Sequence, residues 1–336
     1  MHLPTTRLIT AAAAALALVL TGCGQGSDSG SGSGSGDDET TRDLTFATGG
    51  TAGVYYPLGS EFSRLFAEDV DGLSVVAVET DGSVDNLGRI AKSEAQLAFS
   101  QTNTANDARD ATAEFSDLDK GIDNIGFIGQ IYPEAVHVIT LADNGIEKFE
   151  DLKGKRIAIG APGSANKAVA GLLFEAYGIG EGDYTPFEES FADARSKLQD
   201  GHVDASIEII GVPAASLSEL DASADVRLIP LDEDKAEEIS ADNHYEAYTI
   251  PGGSYGFAED DITTVAVFTS IVASLNQVSD DDAYGITKTI YERAEDISLA
   301  QKRFITLEDA LFGRGDVPLH PGAKRYYEEQ GVNTGE

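Results

Sequence analysis

The sequence predicts an α/β fold made of two similar lobes, each with a parallel sheet covered by helices. Strand-like apolar runs alternate with runs of helical periodicity along most of the chain. Two glycine-rich turns, at residues 48–59 and 160–166, each follow a strand-like run and open a helix. Residues 90–99 are weakly similar to residues 198–207, and each segment has the pattern of a helix end, a polar turn and a strand. The two lobes are therefore expected to share one plan.

The individual elements follow from these periodicities. Strands are predicted at residues 44–47, 73–78, 96–99 and 156–159, and another strand follows the loop that starts at Asp260. Helices are predicted at residues 58–66, 84–90, up to 111, 167–177 and 283–294. The last of these would carry Asp280, Asp281 and Asp282 as negative charge at its N-terminus.

The N-terminal residues resemble a bacterial lipoprotein signal. Arg7 precedes an apolar stretch at residues 8–20, which is too short to span a bilayer comfortably, and Leu20-Thr-Gly-Cys23 follows. We expect a signal peptide at residues 1–22, acylation of Cys23, and a flexible Gly/Ser-rich tether to residue 43. The alternative is an ordinary secretory signal with an incidental cysteine. The lipid would hold the folded part on the outer face of the cytoplasmic membrane.

Composition excludes several kinds of function. The formal net charge of -35 disfavours nucleic-acid binding, which needs a basic face. One cysteine allows neither an intramolecular disulfide nor a four-cysteine zinc site. Such an acidic chain suggests a saline habitat, because salt screens self-repulsion.

The two glycine-rich turns predict a binding site for a small anion. A strand-to-helix turn leaves backbone N–H groups unpaired at the helix N-terminus, where the helix dipole also favours negative charge. Tyr55 and Tyr56 would form a wall of such a site. In α/β folds ligands lie beyond the carboxyl ends of strands, so the two turns are expected to face one cleft between the lobes.

Catalytic motifs are weak. Gly252–Gly256 has the pattern of a nucleophile elbow at Ser254, with Asp309 and His320 in hydrolase order. The elbow requires a preceding strand and a following helix, whereas Pro251 precedes it and a predicted strand follows. The chain has no phosphate-binding P-loop, and its five histidines lack metal-ligand spacing. We therefore predict a protein that is not an enzyme and has neither cofactor nor metal; a serine hydrolase using Ser254 is the alternative from another class.

Several motifs together resemble the TAXI family of solute receptors, which serve tripartite ATP-independent periplasmic (TRAP) transporters. The resemblance covers almost the whole mature chain. The motifs are Thr48-Gly-Gly-Thr-Ala-Gly-Val-Tyr-Tyr-Pro-Leu-Gly59, Asp81-Gly-Ser-Val-Asp-Asn-Leu87, Gln96-Leu-Ala-Phe-Ser-Gln101, Tyr132-Pro-Glu-Ala-Val-His137, Leu152-Lys-Gly-Lys-Arg-Ile157 with Gly160-Ala-Pro-Gly-Ser164, and His320-Pro-Gly-Ala323 with Tyr326-Tyr327.

The resemblance implies a type II periplasmic-binding-protein fold, with two Rossmann-like lobes and a ligand cleft at a two-segment hinge. It places lobe 1 at residues 44–133 and 248–331, lobe 2 at residues 134–247, and a tail at residues 332–336. It implies capture of an acidic amino acid or dicarboxylate, such as glutamate or 2-oxoglutarate, by hinge closure. The partner would be a TRAP permease with fused small and large subunits; an ATP-driven importer, a sensor kinase and a tethered adhesion module are alternatives.

The resemblance also assigns ligand-binding residues. They are Gly50, Thr51, Gly53, Val54, Tyr55, Tyr56, Ser100, Gln101, Gly163, Ser164, Ala165, Asn166 and Lys167. The chain departs from the family at the second turn, where the usual P-G-S-G-T is Pro162-Gly-Ser-Ala-Asn166. Lys167 and Arg195 are candidate charge partners for an anionic ligand.

Overall fold

The computed structural model describes residues 40–242 and 244–335. The strands are β1 (Asp43–Ala47), β2 (Ser74–Val78), β3 (Leu97–Gln101), β4 (Ile125–Leu141), β5 (Arg156–Ala158), β6 (Thr185–Phe187), β7 (Ala205–Gly211), β8 (Val226–Leu228), β9 (Glu246–Ile250) and β10 (Ile262–Ser274). The α-helices are α1 (Tyr55–Asp69), α2 (Ser83–Ala91), α3 (Thr102–Asp110), α4 (Asn166–Ala176), α5 (Phe191–Gln199), α6 (Ala215–Asp221), α7 (Glu233–Asp242), α8 (Asp280–Glu292) and α9 (Pro321–Glu329).

The strands form a mixed sheet in the order β2-β1-β3-β10-β4-β7-β5-β6, with β8 beside β4 and β9 beside β10. Strands β1, β2 and β3 are parallel and form the first half-sheet. Strands β5, β6 and β7 are also parallel and form the second half-sheet. The predicted α/β class with parallel sheets is confirmed for both half-sheets.

Two long antiparallel strands join the half-sheets. Strand β10 pairs with β3 along residues 269–273, and with β4 along residues 266–274. Strand β4 then pairs with β7 from Glu134 to Thr140. The chain therefore crosses between the half-sheets twice, along β4 and along β10.

Apolar side chains pack into two buried clusters. The larger one lies mainly around the first half-sheet, and the second surrounds β5 and β7. Val265 and Val267, from the first part of β10, belong to the second cluster. The lobe boundaries expected at residues 133/134 and 247/248 stay a proposal.

Most element predictions agree with the structure, with shifts at the ends. Helix α1 begins at Tyr55, three residues before the predicted start, so both Tyr55 and Tyr56 belong to the helix. Helix α8 begins at Asp280 rather than at residue 283, because the Ser279 side chain caps it by accepting from the Asp282 backbone N–H. The three aspartates therefore occupy its first turn, where the helix dipole favours them.

The internal similarity corresponds to matching structure. Helix α2 leads to β3 just as α5 leads to β7, each through a short polar turn. The predicted signal peptide, Cys23 and nearly all of the tether lie outside the described residues. No helix that the structure describes has the length and apolarity needed to cross a membrane.

The turn at Ser254 lacks the geometry of a nucleophile elbow. It connects β9 to β10, so a strand follows it where a helix is required. His320 caps α9 instead: its Nδ1 accepts from the Gly322 backbone N–H at 3.3 Å. Its Nε2 lies 3.2 Å from the carbonyl oxygen of Val278. Asp309 accepts a hydrogen bond from the Thr306 hydroxyl.

Candidate ligand-binding cleft

A cavity of about 300 Å³ lies between the two glycine-rich turns. This volume is at the small end of the range for ligand pockets. Residues from both half-sheets line it: Gly49, Gly50, Gly53, Val54, Tyr55, Glu79, Thr80, Asp81, Gly82, Ser83, Arg89, Gln101, Glu134, Ala161, Ser164, Ala165, Asn166, Ser190, Phe191, Ile209 and Ile210.

Four helices begin at the wall of this cavity. Helix α1 contributes Val54 and Tyr55, and α2 contributes Gly82 and Ser83. Helices α4 and α5 contribute Ala165 with Asn166 and Ser190 with Phe191, respectively. The first N–H groups of a helix have no partner within it, and each helix dipole is positive at this end. The wall formed by these four helix N-termini therefore favours an anionic group of a ligand.

Glycine is required where the second helix begins. Gly82 has φ +117°, and an added Cβ would lie 3.6 Å from Ser164 on the opposite turn. That distance is an ordinary van der Waals contact, so the positive φ, which L side chains rarely adopt, is what favours glycine here.

The floor of the cavity is a buried carboxyl group. Glu134 pairs with Val267 of β10 on one side and Gly211 of β7 on the other, at the crossing between the half-sheets. It is 3 % exposed. Its Oε2 accepts from Gln101 Nε2 at 3.0 Å and lies 3.4 Å from the Tyr55 hydroxyl, while its Oε1 accepts from the Tyr132 hydroxyl at 3.2 Å. These three donors are all neutral.

Burial dominates the acid–base properties of this floor. It raises the pKa of Glu134 to about 7, although the hydrogen bonds from Gln101, Tyr132 and Tyr55 act in the opposite direction. Burial and the neighbouring carboxyl also raise the pKa values of Tyr55 and Tyr132 well above the usual value. The floor therefore exchanges a proton near neutral pH only at Glu134.

One acceptor in the floor has no partner. Gln101 is 5 % exposed, and its Nε2 donates to Glu134. Its Oε1 is buried without any hydrogen bond. A buried polar atom without a partner is costly, so this oxygen is a candidate for contact with a ligand donor.

The rim of the cavity is also acidic. Glu79 and Asp81 line it, and Glu79 Oε1 accepts from the Thr51 backbone N–H at 3.3 Å. Among the described residues that line the cavity, Arg89 is the single basic one, and its Nε donates to Asp85 at 2.9 Å. The described lining therefore contains more negative than positive charge.

Two contacts close the cleft from its two sides. The Asp85 backbone N–H donates to the carbonyl oxygen of Gly163 at 3.0 Å. On the other side, the carbonyl oxygen of Ala52 accepts from the Ser216 hydroxyl at 2.6 Å and from Arg195 Nη1 at 3.3 Å. Both contacts join the first glycine-rich segment or α2 to the second half-sheet, so the structure is a closed form of the cleft.

The structure brings together most of the residues assigned from the sequence. Those that line the cavity are Gly50, Gly53, Val54, Tyr55, Gln101, Ser164, Ala165 and Asn166. Those outside its lining are Thr51, Tyr56, Ser100, Gly163 and Lys167. Thr51 lines a second cavity behind the first turn, and Ser100 is fully buried, with its hydroxyl donating to the Gln101 carbonyl. The roles of all these assigned residues in ligand binding stay predictions.

The two candidate cations lie away from the cavity lining. Lys167 Nζ pairs with Glu188 at 2.8 Å, and about half of its side chain is exposed. Arg195 is buried and forms an ion pair with Glu208 from two of its nitrogens. Arg195 therefore supports the closed contact at Ala52 rather than facing a ligand in the cavity.

Asn166 has a structural role that the sequence did not indicate. Its Nδ2 donates to the carbonyl oxygen of Ile207, and its Oδ1 accepts from the Ile209 backbone N–H at 2.7 Å. Strand β5 pairs with β7 only as far as Ala158, and the Asn166 side-chain amide continues this pairing along β7. Asn166 also lines the cavity.

Sequence reasoning gave no role to several lining residues, above all Glu134, Glu79, Asp81, Ser83 and Arg89. Glu134 stood inside a quoted motif, beside Pro133 and among apolar residues of a strand. A lone acidic residue within such a run is a usable signal, because carboxyl groups are rarely fully buried without a reason.

A family comparison places the chain. The profile of the NMT1-like family matches residues 46–331, which is most of the sequence. The chain belongs to the NMT1-like family. The matched region contains both half-sheets except for the first three residues of β1, and it contains all residues that line the cleft, so the cleft is part of the family domain.

Solved structures resemble this family member in fold. A protein from Bordetella bronchiseptica RB50 is 18% identical, with 86% of this chain and 82% of that chain covered and a TM-score of 0.51. The alkanesulfonate-binding protein SsuA from Xanthomonas axonopodis pv. citri, bound to MOPS, is 18% identical (86% and 84% covered, TM-score 0.49). The GluR0 ligand-binding core from Nostoc punctiforme, in complex with L-glutamate, is 16% identical (78% and 96% covered, TM-score 0.44). The predicted type II periplasmic-binding-protein fold is confirmed, as a mixed α/β fold with a curled sheet.

Proposed function

We propose that this protein is an extracytoplasmic solute-binding receptor of an importer, which captures a small carboxylate by closing its cleft. The observation that carries the proposal is the cavity at which four helices begin, between two half-sheets joined by two crossing strands. The helix N-termini would bind the carboxylate through backbone N–H groups. Because the lining belongs to both half-sheets, a bound ligand stabilises the closed form over the open form.

The finer assignment rests on the sequence. The resemblance to TAXI receptors supports a TRAP permease with fused small and large subunits as the partner, and the lipoprotein-like N-terminus supports a lipid anchor at Cys23 on the outer face of the membrane. The names of the alkanesulfonate-binding protein SsuA and of the GluR0 ligand-binding core agree with the general class of small-ligand binders. An adjacent gene for a large multi-span subunit, without an ATPase gene, would favour a TRAP importer over an ATP-driven one.

The function is tested by a thermal-shift screen of the full chain in detergent against amino acids and di- and tricarboxylates. A ligand stabilises the folded state by about 2.7 kcal/mol at a hundredfold excess over Kd, so we expect a clear rise in Tm for at least one compound. Recovery of that compound unchanged after incubation would support binding without chemistry.

Two results would contradict this proposal. A screen in which no organic acid or amino acid changes Tm would remove the solute-binding function. Ester hydrolysis that disappears in Ser254→Ala would favour the hydrolase alternative.

A further inference from the structure

We propose that Glu134 and Gln101 form an amino subsite, which binds the protonated amino group of the ligand and makes the cleft select amino acids over 2-oxo acids and dicarboxylates. This inference rests on the proposed solute-binding function and names its substrate class. The amino subsite is defined by the Glu134 carboxyl group and Gln101 Oε1.

The floor of the cavity has an acceptor that lacks a donor. The Gln101 amide is oriented by its donation to Glu134 at 3.0 Å, which leaves Oε1 as a buried acceptor without a partner. Glu134 and Gln101 both line the cavity. An ammonium group carries three donors and no acceptor, so it can satisfy both acceptors at once.

The charges around the floor also favour a ligand with a positive group. The Glu134 carboxyl group is buried with only neutral donors around it, so its ionised form lacks a compensating cation within the floor. Glu79 and Asp81 add negative charge at the rim, and the lining cation Arg89 is already bonded to Asp85. A ligand with carboxylates alone would bring further negative charge to this floor, whereas an amino group supplies the missing positive charge.

A metal ion fits the amino subsite less well than an ammonium group does. Within the described part of the chain, no group of three His, Cys, Asp or Glu side chains is arranged to hold a metal. The amino subsite offers one carboxyl group and one amide oxygen, which suits an ammonium group better than Ca²⁺ with its six to eight oxygen ligands.

The geometry also separates the two ends of such a ligand. The amino subsite lies on β3 and β4, at the floor, whereas the helix N-termini lie on the walls. An amino acid presents a cation and an anion on neighbouring atoms, so it can contact the floor and a wall together. Its 2-oxo acid retains the anion but replaces the donor with an acceptor, which would face Gln101 Oε1 and Glu134.

The test measures Kd for matched pairs of test ligands: glutamate with 2-oxoglutarate, alanine with pyruvate, and leucine with 4-methyl-2-oxopentanoate. With the full wild-type chain, we expect the amino acid of the binding pair to bind at least tenfold more tightly than its 2-oxo acid. Glu134→Gln keeps the size of the side chain and removes its charge. We expect it to weaken amino-acid binding about tenfold or more and to leave 2-oxo-acid binding within about threefold.

Two variants keep the test decisive. Glu259→Gln removes an exposed carboxyl group from the turn before β10, so its change in net charge equals that of Glu134→Gln. It should leave the ratio of amino-acid affinity to 2-oxo-acid affinity unchanged. If Glu134→Gln fails to fold, as shown by far-UV circular dichroism, Gln101→Met removes the unpaired acceptor instead. It should also reduce the affinity ratio.

The pH dependence gives a second readout. An amino group needs the ionised form of Glu134, so amino-acid affinity should fall at least about fivefold between pH 7.5 and 5.5, as the proton returns to a group whose pKa is about 7. The facing groups Tyr55, Tyr132 and Tyr245 have raised pKa values, and burial lowers the pKa of His137 to about 4, so none of these titrates in this range. Glu134→Gln should abolish the dependence.

Several outcomes would overturn the amino subsite while leaving the solute-binding function intact. They are equal affinity for both members of every pair, preference for the 2-oxo acid, binding of dicarboxylates alone, or equal weakening of both pair members by Glu134→Gln. Failure of every test ligand and every compound of the wider screen would instead contradict the solute-binding function.

Discussion

At the level of single residues, Asn166 shows why position in a motif does not fix a role. Its side-chain amide acts like a peptide group, donating to Ile207 and accepting from Ile209 of β7. A threonine at this position has one hydroxyl and no amide, so it lacks the planar donor and acceptor pair that continues the sheet edge. In this chain, Asn166 therefore attaches the start of α4 to β7 through both ends of its side-chain amide.

Lys167 is a residue whose assignment the structure makes testable. Its Nζ pairs with Glu188, and it lies outside the cavity lining, so Lys167→Ala should leave the Kd of the ligand within about twofold. Isothermal titration of wild type and variant at one ionic strength measures this. A loss of affinity of tenfold or more would return Lys167 to the binding residues.

At the level of elements, the cleft is held closed by neighbouring helices and turns rather than by one strong bond. The start of α2 meets the second turn through Asp85 and Gly163, and α6 meets the first turn through Ser216 and Ala52. The first contact is one hydrogen bond, and in the second the Ala52 carbonyl also accepts from Arg195; each hydrogen bond has a modest net value of about 1 kcal/mol. A bound ligand can therefore shift the equilibrium between the open and closed forms of the cleft, because these weak contacts do not determine that equilibrium alone.

Ser216→Ala removes the hydroxyl that bonds to the Ala52 carbonyl. Loss of about 1 kcal/mol from the closed form should weaken ligand binding about fivefold and expand the molecule without ligand in small-angle X-ray scattering. Ser218→Ala, on the exposed face of the same helix, is the matched control. Unchanged affinity in Ser216→Ala would show that the Ala52 contact does not contribute to closure.

The sequence predicted the elements better than it predicted the floor of the cleft. Glycine-rich turns are local signals, so the starts of α1 and α4 could be located within about three residues. The depth of Glu134 depends on β10 and β7 flanking β4, and those strands lie far away in the sequence. Local patterns carry no information about such pairing, which is why its role became visible only in the fold.

At the scale of the whole molecule, charge is the dominant feature. The net charge is -35, and exposed ion pairs such as Arg64–Glu68 and Lys120–Asp123 contribute little stability. Repulsion among the remaining carboxylates opposes the compact state at low ionic strength. Salt screens this repulsion, so the stability of the protein should depend on ionic strength.

Raising NaCl from about 0.1 M to about 1 M shortens the Debye length from about 10 Å to about 3 Å, so Tm should rise. Differential scanning calorimetry at pH 7 measures it. Near the sequence pI of about 4.2 the net charge is small, and the same addition of salt should have little effect. A Tm at pH 7 that stays constant or falls with salt would show that repulsion among the carboxylates does not limit stability.

The two crossing strands also determine how the gene can be divided. A cut at residues 133/134 falls inside the seventeen residues of β4, and a cut within β10 separates its pairing with β9 from its pairing with β3. Each fragment would carry an open sheet edge that its natural neighbour normally covers. Recombination between relatives that exchanges one lobe must therefore exchange matched segments of both crossing strands, which limits how specificity can be acquired by shuffling.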